Sequence, residues 1–223
     1  MNGSLGRQLA SKWIKTNALL ANPYVARHIP PSRLFNRENL RRMVAIHGMV
    51  VLKPVRGAGG HGLMKVTAGG GRYSLKHKSQ TRSFGSLSGL IRAVDATRRG
   101  RPYLIQKGIH LATVSGRPID YRVKYVKAGG TWAYRSMVGR IARRGLFVTN
   151  LCRGGTMVTA AQGIRRSLSQ RAVGRKKQEM RNLTKISTSL LESRFPGIGQ
   201  LGFDYGIDRR GHVWMLEVNT RPQ

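Results

Sequence analysis

The sequence predicts an α+β protein built from two lobes. Three observations support this prediction: helical spacing of apolar residues near the N-terminus, a strand, glycine loop and strand after it, and a long helix that leads into a closing β-hairpin. At 223 residues the chain can bury a sizeable core, and its length fits one domain of two lobes or two small domains.

Residues 1–48 are predicted to form a mostly helical N-terminal segment. Apolar residues recur there at helical spacing in two places, and each run follows a residue type that caps helices. The runs are Leu5, Leu9 and Trp13 after Ser4, and Leu40, Met43 and Val44 after Asn36, the second stopping at Gly48.

Residues 49–108 are predicted to form a small lobe with a glycine flap. An apolar run ends at Pro54, the glycine-rich segment 56–62 follows, and a second apolar run begins at Leu63. A third short run at 73–76, helical spacing from Leu87 to Arg98 and a strand at 103–106 predict a small antiparallel sheet with a helix on it. The boundary between the lobes is predicted near residue 108.

Residues 109–223 are predicted to form a large lobe with a metal site. Two apolar runs, 121–127 and 132–140, flank a glycine turn and indicate a hairpin. Helical spacing from Ser169 to Arg194 ends before Pro196 and indicates a long helix on which the terminal hairpin packs.

The terminal hairpin carries a carboxylate pair with an amide beside it. If Asp208 pairs with Val213, then Asp204 lies opposite Glu217, and Asn219 shares the face of Glu217. Like charges opposed across two strands destabilise a sheet, and a divalent cation would offset the repulsion. Oxygen ligands alone favour Mg²⁺ or Mn²⁺ over zinc. The alternative is a hairpin with an exposed polar face.

The glycine loop and Lys53 suggest phosphate binding. Backbone amides approach phosphate oxygens closely only where side chains are absent, and a lysine on the entering strand can reach phosphates. No Gly-Lys-Ser/Thr follows the glycines, and a strand rather than a helix comes next, so Walker and dinucleotide-binding loops do not fit. A flexible hairpin turn beside a solvated lysine is the alternative.

Several further polar residues have both functional and structural interpretations. Asp120 and Arg122 share a strand face and could form a structural ion pair, whereas the planar fork of Arg122 also suits phosphate or carboxylate. Asn150 could bridge metal and phosphate or simply form a turn. For Arg140 and the arginines after it, a solvated basic face is the default interpretation.

Composition restricts the partners and the compartment. The 41 Lys and Arg against 8 Asp and Glu give a charge of +33, which indicates contact with something acidic. The one cysteine, Cys152, rules out an internal disulfide and is expected to be buried. There is no apolar run of the kind found in signal peptides or membrane spans, so a soluble, cytoplasmic protein is predicted.

Taken in order, these motifs resemble the ATP-grasp superfamily and, within it, the YheC/YheD group of spore-coat-associated proteins. The resemblance runs from Lys12 to Gln223 through Leu52-Lys53-Pro54, the glycine flap, Tyr103-Leu104-Ile105-Gln106, Asp120-Tyr121-Arg122, Thr149-Asn150-Leu151, Gly154-Gly155, Asp204 and Leu216-Glu217-Val218-Asn219. It implies the ATP-grasp fold, in which two α+β lobes with antiparallel sheets clasp a nucleotide between them.

The resemblance also implies roles for individual residues. Arg122 and Arg140 would face the transferred phosphoryl group or the acyl substrate, and Asp204, Glu217 and Asn219 would hold Mg²⁺. Lys12 matches an ATP-contacting lysine, although Lys15 could serve instead. The residues implied in nucleotide binding are Lys12, Lys53, Gly57, Gly59, Gly60, Gly62, Gln106, Lys107, Asp120 and Asn150.

Two departures from the family pattern bear on these roles. Many members have an acid where this chain has Lys107, which affects adenine or ribose recognition. Members also usually carry a preceding domain, which leaves open whether this chain is a fragment.

The predicted function is that of an ATP-dependent, Mg²⁺-dependent ligase that joins an unidentified carboxylate to an amine or thiol acceptor through an acylphosphate. The alternative is a non-catalytic protein of the same fold that binds an acidic polymer or sits on a spore coat. Nucleic acid is a less favoured partner, because aromatic residues suited to base stacking are not clustered.

Overall fold

The computed structural model describes residues 6–57 and 59–222. The predicted cap at Ser4 and the apolar Leu5 lie outside the described residues. In chain order the elements are α1 (Lys12–Leu19), α2 (Pro23–Ala26), β1 (Ser32–Leu34), α3 (Arg37–His47), β2 (Met49–Pro54), β3 (Met64–Gly69), β4 (Arg72–His77), β5 (Gln80–Phe84), α4 (Leu87–Arg98), β6 (Tyr103–Lys107), β7 (Thr113–Val114), β8 (Arg117–Ala128), β9 (Thr131–Ile141), a 3₁₀ helix (Leu151–Arg153), β10 (Thr156–Thr159), α5 (Ala160–Ser167), α6 (Ala172–Arg194), β11 (Gln200–Ile207) and β12 (Val213–Asn219).

These elements form two compact units. The small unit is Pro30–Ile109, and the large unit contains the described residues up to Ile29 and from His110 onward. Residues 30–48, predicted to belong with the N-terminal segment, group with the small unit because Leu40, Met43 and Val44 of α3 pack into its core. Each unit carries an antiparallel sheet with helices, which confirms the α+β class.

The small unit has the strand order β1-β6-β2-β3-β4-β5. Alternate residues of its strands, including Val50, Leu52 and Ile105, are buried with residues from α3 and α4. The predicted cap of α3 is present, because the amide of Asn39 donates to Asn36 Oδ1, and α4 is capped in the same way by Ser86, whose Oγ accepts from the amide of Gly89. Strands β1 and β5 are short or exposed and were not predicted.

The large unit has the strand order β10-β9-β8-β11-β12, with β7 paired to β8. The predicted hairpin is β8 and β9, joined at Gly129 and Gly130, which both have positive φ angles. The predicted long helix is α6. Its buried residues, such as Leu183 and Leu191, pack in one core with Phe203 of β11.

No helix among residues 6–57 and 59–222 combines the length and the apolar character that crossing a membrane requires.

Candidate functional site

The large sheet separates apolar from charged side chains by alternation along its central strands. Tyr121, Phe203 and Tyr205 are buried in the core. Their neighbours Asp120 and Asp204 therefore lie on the opposite face of the same sheet. This second face is called the charged face below.

The terminal hairpin brings Asp204 directly opposite Glu217, as predicted. Gly202 pairs with Asn219 two residues further on, so the amide shares the face of Glu217. The register at the turn was predicted incorrectly, because Ile207 rather than Asp208 pairs with Val213.

A β-bulge reconciles these two facts. The register shifts between Asp204 and Tyr205, and Leu216 of β12 is the additional residue. Asp208 closes the turn instead: its carboxylate accepts hydrogen bonds from the amides of Arg210 and His212, both at 2.9 Å. The predicted carboxylate pair thus exists, but through a bulge and not through a regular ladder.

Two arginines neutralise the aspartates of the charged face. Arg122 Nε and Nη2 donate to Asp204 Oδ1 and Oδ2 at 2.5 and 3.1 Å. Arg140 Nε and Nη2 donate to Asp120 at 2.8 and 2.5 Å, and Arg140 Nη2 also lies 2.9 Å from Asp204 Oδ1. The four side chains form one alternating chain of charges across β9, β8 and β11.

An ion pair between Asp120 and Arg122 along one strand was one interpretation of the sequence. That interpretation is wrong, because the ion pairs of both residues are made with residues of neighbouring strands. Asp120 is opposite Arg140, and Arg122 is opposite Asp204. Directly opposed residues are about 5 Å apart at Cβ, closer than residues two apart on one strand. The prediction that Arg140 belongs to a solvated basic face is also wrong, since its side chain is only 7% exposed.

Burial and charge act in opposite directions on this pair. Burial disfavours the charged form of Arg140, but Asp204 and Asp120 outweigh it and raise the pKa of the guanidinium. Burial raises the pKa of Asp120, whereas the contacts with Arg140 and with the hydroxyl of Thr149 oppose this shift and lower the pKa. Thr149 is itself buried, and it was assigned no role of its own from the sequence.

Helix α1 brings two lysines to the carboxylates of the hairpin. Lys12 Nζ lies 3.1 Å from Glu217 Oε1, whereas Lys15 Nζ donates to the carbonyl oxygen of Leu9 at 2.7 Å. The amide of Leu9 in turn donates to Thr220 Oγ1 at 2.8 Å, which ties this segment to the end of β12. The geometry therefore supports Lys12 over Lys15 as the lysine beside the acid pair.

Burial lowers the pKa of Lys15 to about 8, with Glu217 opposing and Lys12 reinforcing the shift. Between pH 8 and the unfolded value of 10.5 the unfolded chain holds the proton and the folded protein does not, so stability should rise with pH. We expect the unfolding free energy of the wild type to increase relative to Lys15→Met by up to about 1.4 kcal/mol per pH unit in this window. Urea denaturation at pH 7, 8, 9 and 10 measures this difference, and parallel curves for the two proteins would contradict it.

Asn150 begins the 3₁₀ helix beside the charged face. Its carbonyl oxygen accepts from the amide of Arg153 at 2.9 Å, whereas its side chain makes no capping hydrogen bond, so the bridging role and the turn-forming role both stay predictions. A Cβ on Gly155 would lie 2.7 Å from the carbonyl oxygen of Thr149, so only glycine fits there. Cys152, expected to be buried, is exposed, because Leu151–Arg153 form a 3₁₀ helix at the surface.

In the small unit, the glycine flap joins β2 and β3 as predicted. Its described glycines, Gly57, Gly59, Gly60 and Gly62, all have positive φ angles, which L side chains rarely adopt. The Tyr103 hydroxyl donates to the carbonyl oxygen of Gly62 at 2.9 Å and anchors the end of the loop. Turn geometry alone accounts for these glycines, so phosphate binding by the loop remains a prediction.

The other predicted nucleotide-binding residues of the small unit lie on β2 and β6. Lys53 and Gln106 are buried, and Gln106 Nε2 donates to Ser32 Oγ at 3.2 Å. The amide of Lys107 donates to the carbonyl oxygen of Pro31 at 2.8 Å. This backbone donor is therefore already used within the unit.

The residues present fit a hard divalent cation by donor chemistry. Asp204, Glu217 and Asn219 offer carboxylate and amide oxygens, which Mg²⁺ and Mn²⁺ prefer. In the described part of the chain no three His, Cys, Asp or Glu side chains group as a metal site, so the set depends on the amide. The carboxylates also contact cations in this structure: Arg122 and Arg140 at Asp204, and Lys12 at Glu217.

Arg122 and a divalent cation should therefore compete for Asp204. We expect Arg122→Gln to bind Mn²⁺ roughly tenfold or more tightly than the wild type in the absence of nucleotide, because one positive charge beside the carboxylate is removed. Electron paramagnetic resonance of free Mn²⁺ measures this affinity. Arg135→Gln, at an exposed position of β9, is the control with the same net charge, and equal affinities for both variants would contradict the competition.

Comparison with known proteins identifies the fold family. Residues 4–223 match the family described as YheC/D-like ATP-grasp. The chain belongs to this family. The resemblance inferred from the ordered motifs is thereby confirmed, and so is the ATP-grasp fold.

Two curated relatives from Bacillus subtilis (strain 168) are endospore coat-associated proteins. The chain is 30% identical to YheD over 95% of its own length and 48% of YheD, and 24% identical to YheC over 98% of its own length and 61% of YheC. It therefore spans about half to three fifths of the relatives it matches.

Solved structures of low sequence identity share the fold of this ATP-grasp chain. D-alanyl-alanine synthetase A from Vibrio cholerae matches with a TM-score of 0.59 at 12% identity, covering 96% of this chain and 55% of that one. Carboxyaminoimidazole ribonucleotide synthase from Aspergillus clavatus, complexed with ATP, matches with a TM-score of 0.60 at 14% identity, covering 97% and 46%.

Proposed function

We propose that this protein binds ATP with Mg²⁺ and acts as a carboxylate ligase. The carboxylate of the substrate attacks the γ-phosphorus of ATP, the bond to the β-γ bridging oxygen breaks, and an acylphosphate and ADP form. An amine or thiol then attacks the acyl carbon and releases inorganic phosphate. The observation that carries this proposal is the carboxylate pair of Asp204 and Glu217, set among cations on the charged face.

The proposed roles follow from contacts and charge. Asp204, Glu217 and Asn219 would hold Mg²⁺, which when bound supplies charge neutralisation for the phosphoryl group. Arg122 is 15% exposed on its side chain and can exchange Asp204 for a phosphoryl or carboxylate oxygen. Arg140 contacts two carboxylates, so it would orient Asp120 and Asp204 and keep both contacts when the substrate binds.

Nucleotide contacts are proposed for each unit separately. In the large unit, Lys12 would bind a phosphate, with Asp120 and Asn150 assisting. In the small unit, Lys53 and Gly57, Gly59, Gly60 and Gly62 would bind phosphates, and Gln106 and Lys107 the adenine. The resemblance to family members supports these assignments, together with the burial of Lys53 and the positive φ angles of the glycines.

The test is nucleotide binding followed by turnover. Calorimetry should show that an ATP analogue binds with Mg²⁺ and weakly without it. Phosphate should be released from ATP only when a suitable carboxylate and acceptor are both supplied. A protein that does not bind ATP at millimolar concentrations with Mg²⁺ is not a ligase of this kind.

A second candidate function is binding to an acidic polymer or a coat surface. No Asp or Glu occurs between Asp120 and Glu179 in the sequence, and Arg171, Arg175 and Lys185 are exposed around α6. The affinity for such a polymer should fall steeply as the salt concentration rises and should not change when ATP is added. The names of the two relatives support a coat-associated location.

A further inference from the structure

The small unit has a second charged surface that the proposed nucleotide contacts do not use. Val50, Leu52, Met64, Val66 and Leu75 fill the core with α3 and α4. By alternation, Lys65 of β3 and Lys76 of β4 therefore lie on the face opposite these helices.

The two lysines are held directly opposite each other. Register pairs Lys65 with Lys76, and the next pair on this face is Thr67 with Ser74, whose hydroxyl oxygens are 2.6 Å apart. Like charges opposed across two strands destabilise a sheet. Burial and then the charge of Lys76 lower the pKa of Lys65, so the repulsion is not fully screened by water.

No carboxylate of the small unit offsets this repulsion. Residues 30–109 contain two acids in the sequence, Glu38 and Asp95. Both lie on helices and pair with arginines there: Glu38 with Arg41 at 3.9 Å, and Asp95 with Arg37 and Arg98 at 3.1 and 2.7 Å. Among the described residues of this unit, Lys65 and Lys76 therefore have no anionic partner.

We propose that Lys65 and Lys76 form an anion-binding site for a phosphate-bearing ligand. Each ammonium group supplies up to three donors and a full charge, and the hydroxyls of Thr67 and Ser74 beside them can add neutral donors to phosphate oxygens. The site costs stability in the unliganded protein and recovers it when the anion binds. It does not depend on ligase activity or on the metal site of the large unit.

Two sources of the phosphate fit this chemistry. Gly62, the last glycine of the loop, is three residues before Lys65 of β3. If the loop binds the phosphates of a nucleotide, those phosphates are one source. A separate phosphorylated substrate is the other. In both cases the recognised group is a phosphate between two opposed lysines.

The experiment measures binding of inorganic tripolyphosphate to the full chain by calorimetry at fixed ionic strength without metal. We expect Lys65→Gln and Lys76→Gln each to weaken binding roughly tenfold. Lys78→Gln, at the exposed turn between β4 and β5, removes the same charge and should change affinity less than twofold. Lys65→Arg should retain most of the affinity.

Thermal unfolding without ligand provides the second measurement. If opposed charges strain the sheet, Lys65→Gln and Lys76→Gln should each raise Tm, while Lys78→Gln should not. Repeating the titration in the presence of a saturating non-hydrolysable ATP analogue separates the two sources. If the analogue prevents tripolyphosphate from binding, the site takes the phosphates of a nucleotide. If both bind at the same time, the site takes a separate phosphorylated ligand. The proposal is overturned if the two variants bind tripolyphosphate as Lys78→Gln does, or if only one of them is impaired.

Discussion

Replacing Glu217 by alanine is expected to abolish Mg²⁺-dependent nucleotide binding. The variant removes one of the two carboxylates that face each other across β11 and β12, and with it the ion pair between Glu217 and Lys12. Affinity for an ATP analogue in the presence of Mg²⁺ should fall roughly a hundredfold or more, since even residues that only orient metal ligands are worth 10- to 100-fold.

Calorimetry with and without Mg²⁺ separates this effect from a general loss of fold. Binding measured in EDTA should change little, because the lost group is a metal ligand and not a phosphate contact. Glu38→Ala, at an exposed position on α3, removes a carboxylate of the same type and should bind like the wild type. Unaltered Mg²⁺-dependent affinity in Glu217→Ala would count against the site.

The largest effect on stability is expected from Arg140→Met. Arg140 is buried and holds Asp120 and Asp204 together, so its loss leaves Asp120 buried without its cation. Removing one partner of a buried ion pair costs about 3–5 kcal/mol. Urea denaturation at pH 7 should show a loss of this size, compared with a small change for the exposed Arg135→Met.

A second substitution tests the cause of that loss. Asp120→Asn in the Arg140→Met background removes the uncompensated charge and should recover a large part of the unfolding free energy. If the double variant is as unstable as Arg140→Met, the loss comes from packing of the arginine side chain and not from the buried carboxylate.

Local patterns predicted the faces of the strands, whereas contacts between distant strands were not accessible in this way. Asp204 and Glu217 are joined by a short turn, so alternation and turn length sufficed to place them opposite each other, even though a bulge at Leu216 was missed. The partners of Asp120 and Arg122 depend on how β8 lies between β9 and β11. The periodicity of residues within one strand does not determine how that strand is aligned with its two neighbours.

The same reason explains the features of the site that were missed. Lys15 and Leu9 form a link to Thr220, and Thr149 contacts Asp120, only after distant segments pack together. Cys152 was expected to be buried from its residue type, but this segment forms a short 3₁₀ helix that ends at Gly154, and the cysteine is exposed. Chemistry that depends on opposed neighbours within one hairpin is therefore the most accessible from sequence.

In the proposed site, two carboxylates and an amide of the terminal hairpin hold the metal that accompanies ATP. A crystal structure with a non-hydrolysable ATP analogue and Mn²⁺, with anomalous scattering recorded for the metal, tests it most directly. We expect a Mn²⁺ peak about 2.2 Å from oxygens of Asp204, Glu217 and Asn219, with the triphosphate bound to that metal. A bound nucleotide whose metal contacts none of these three side chains would contradict it.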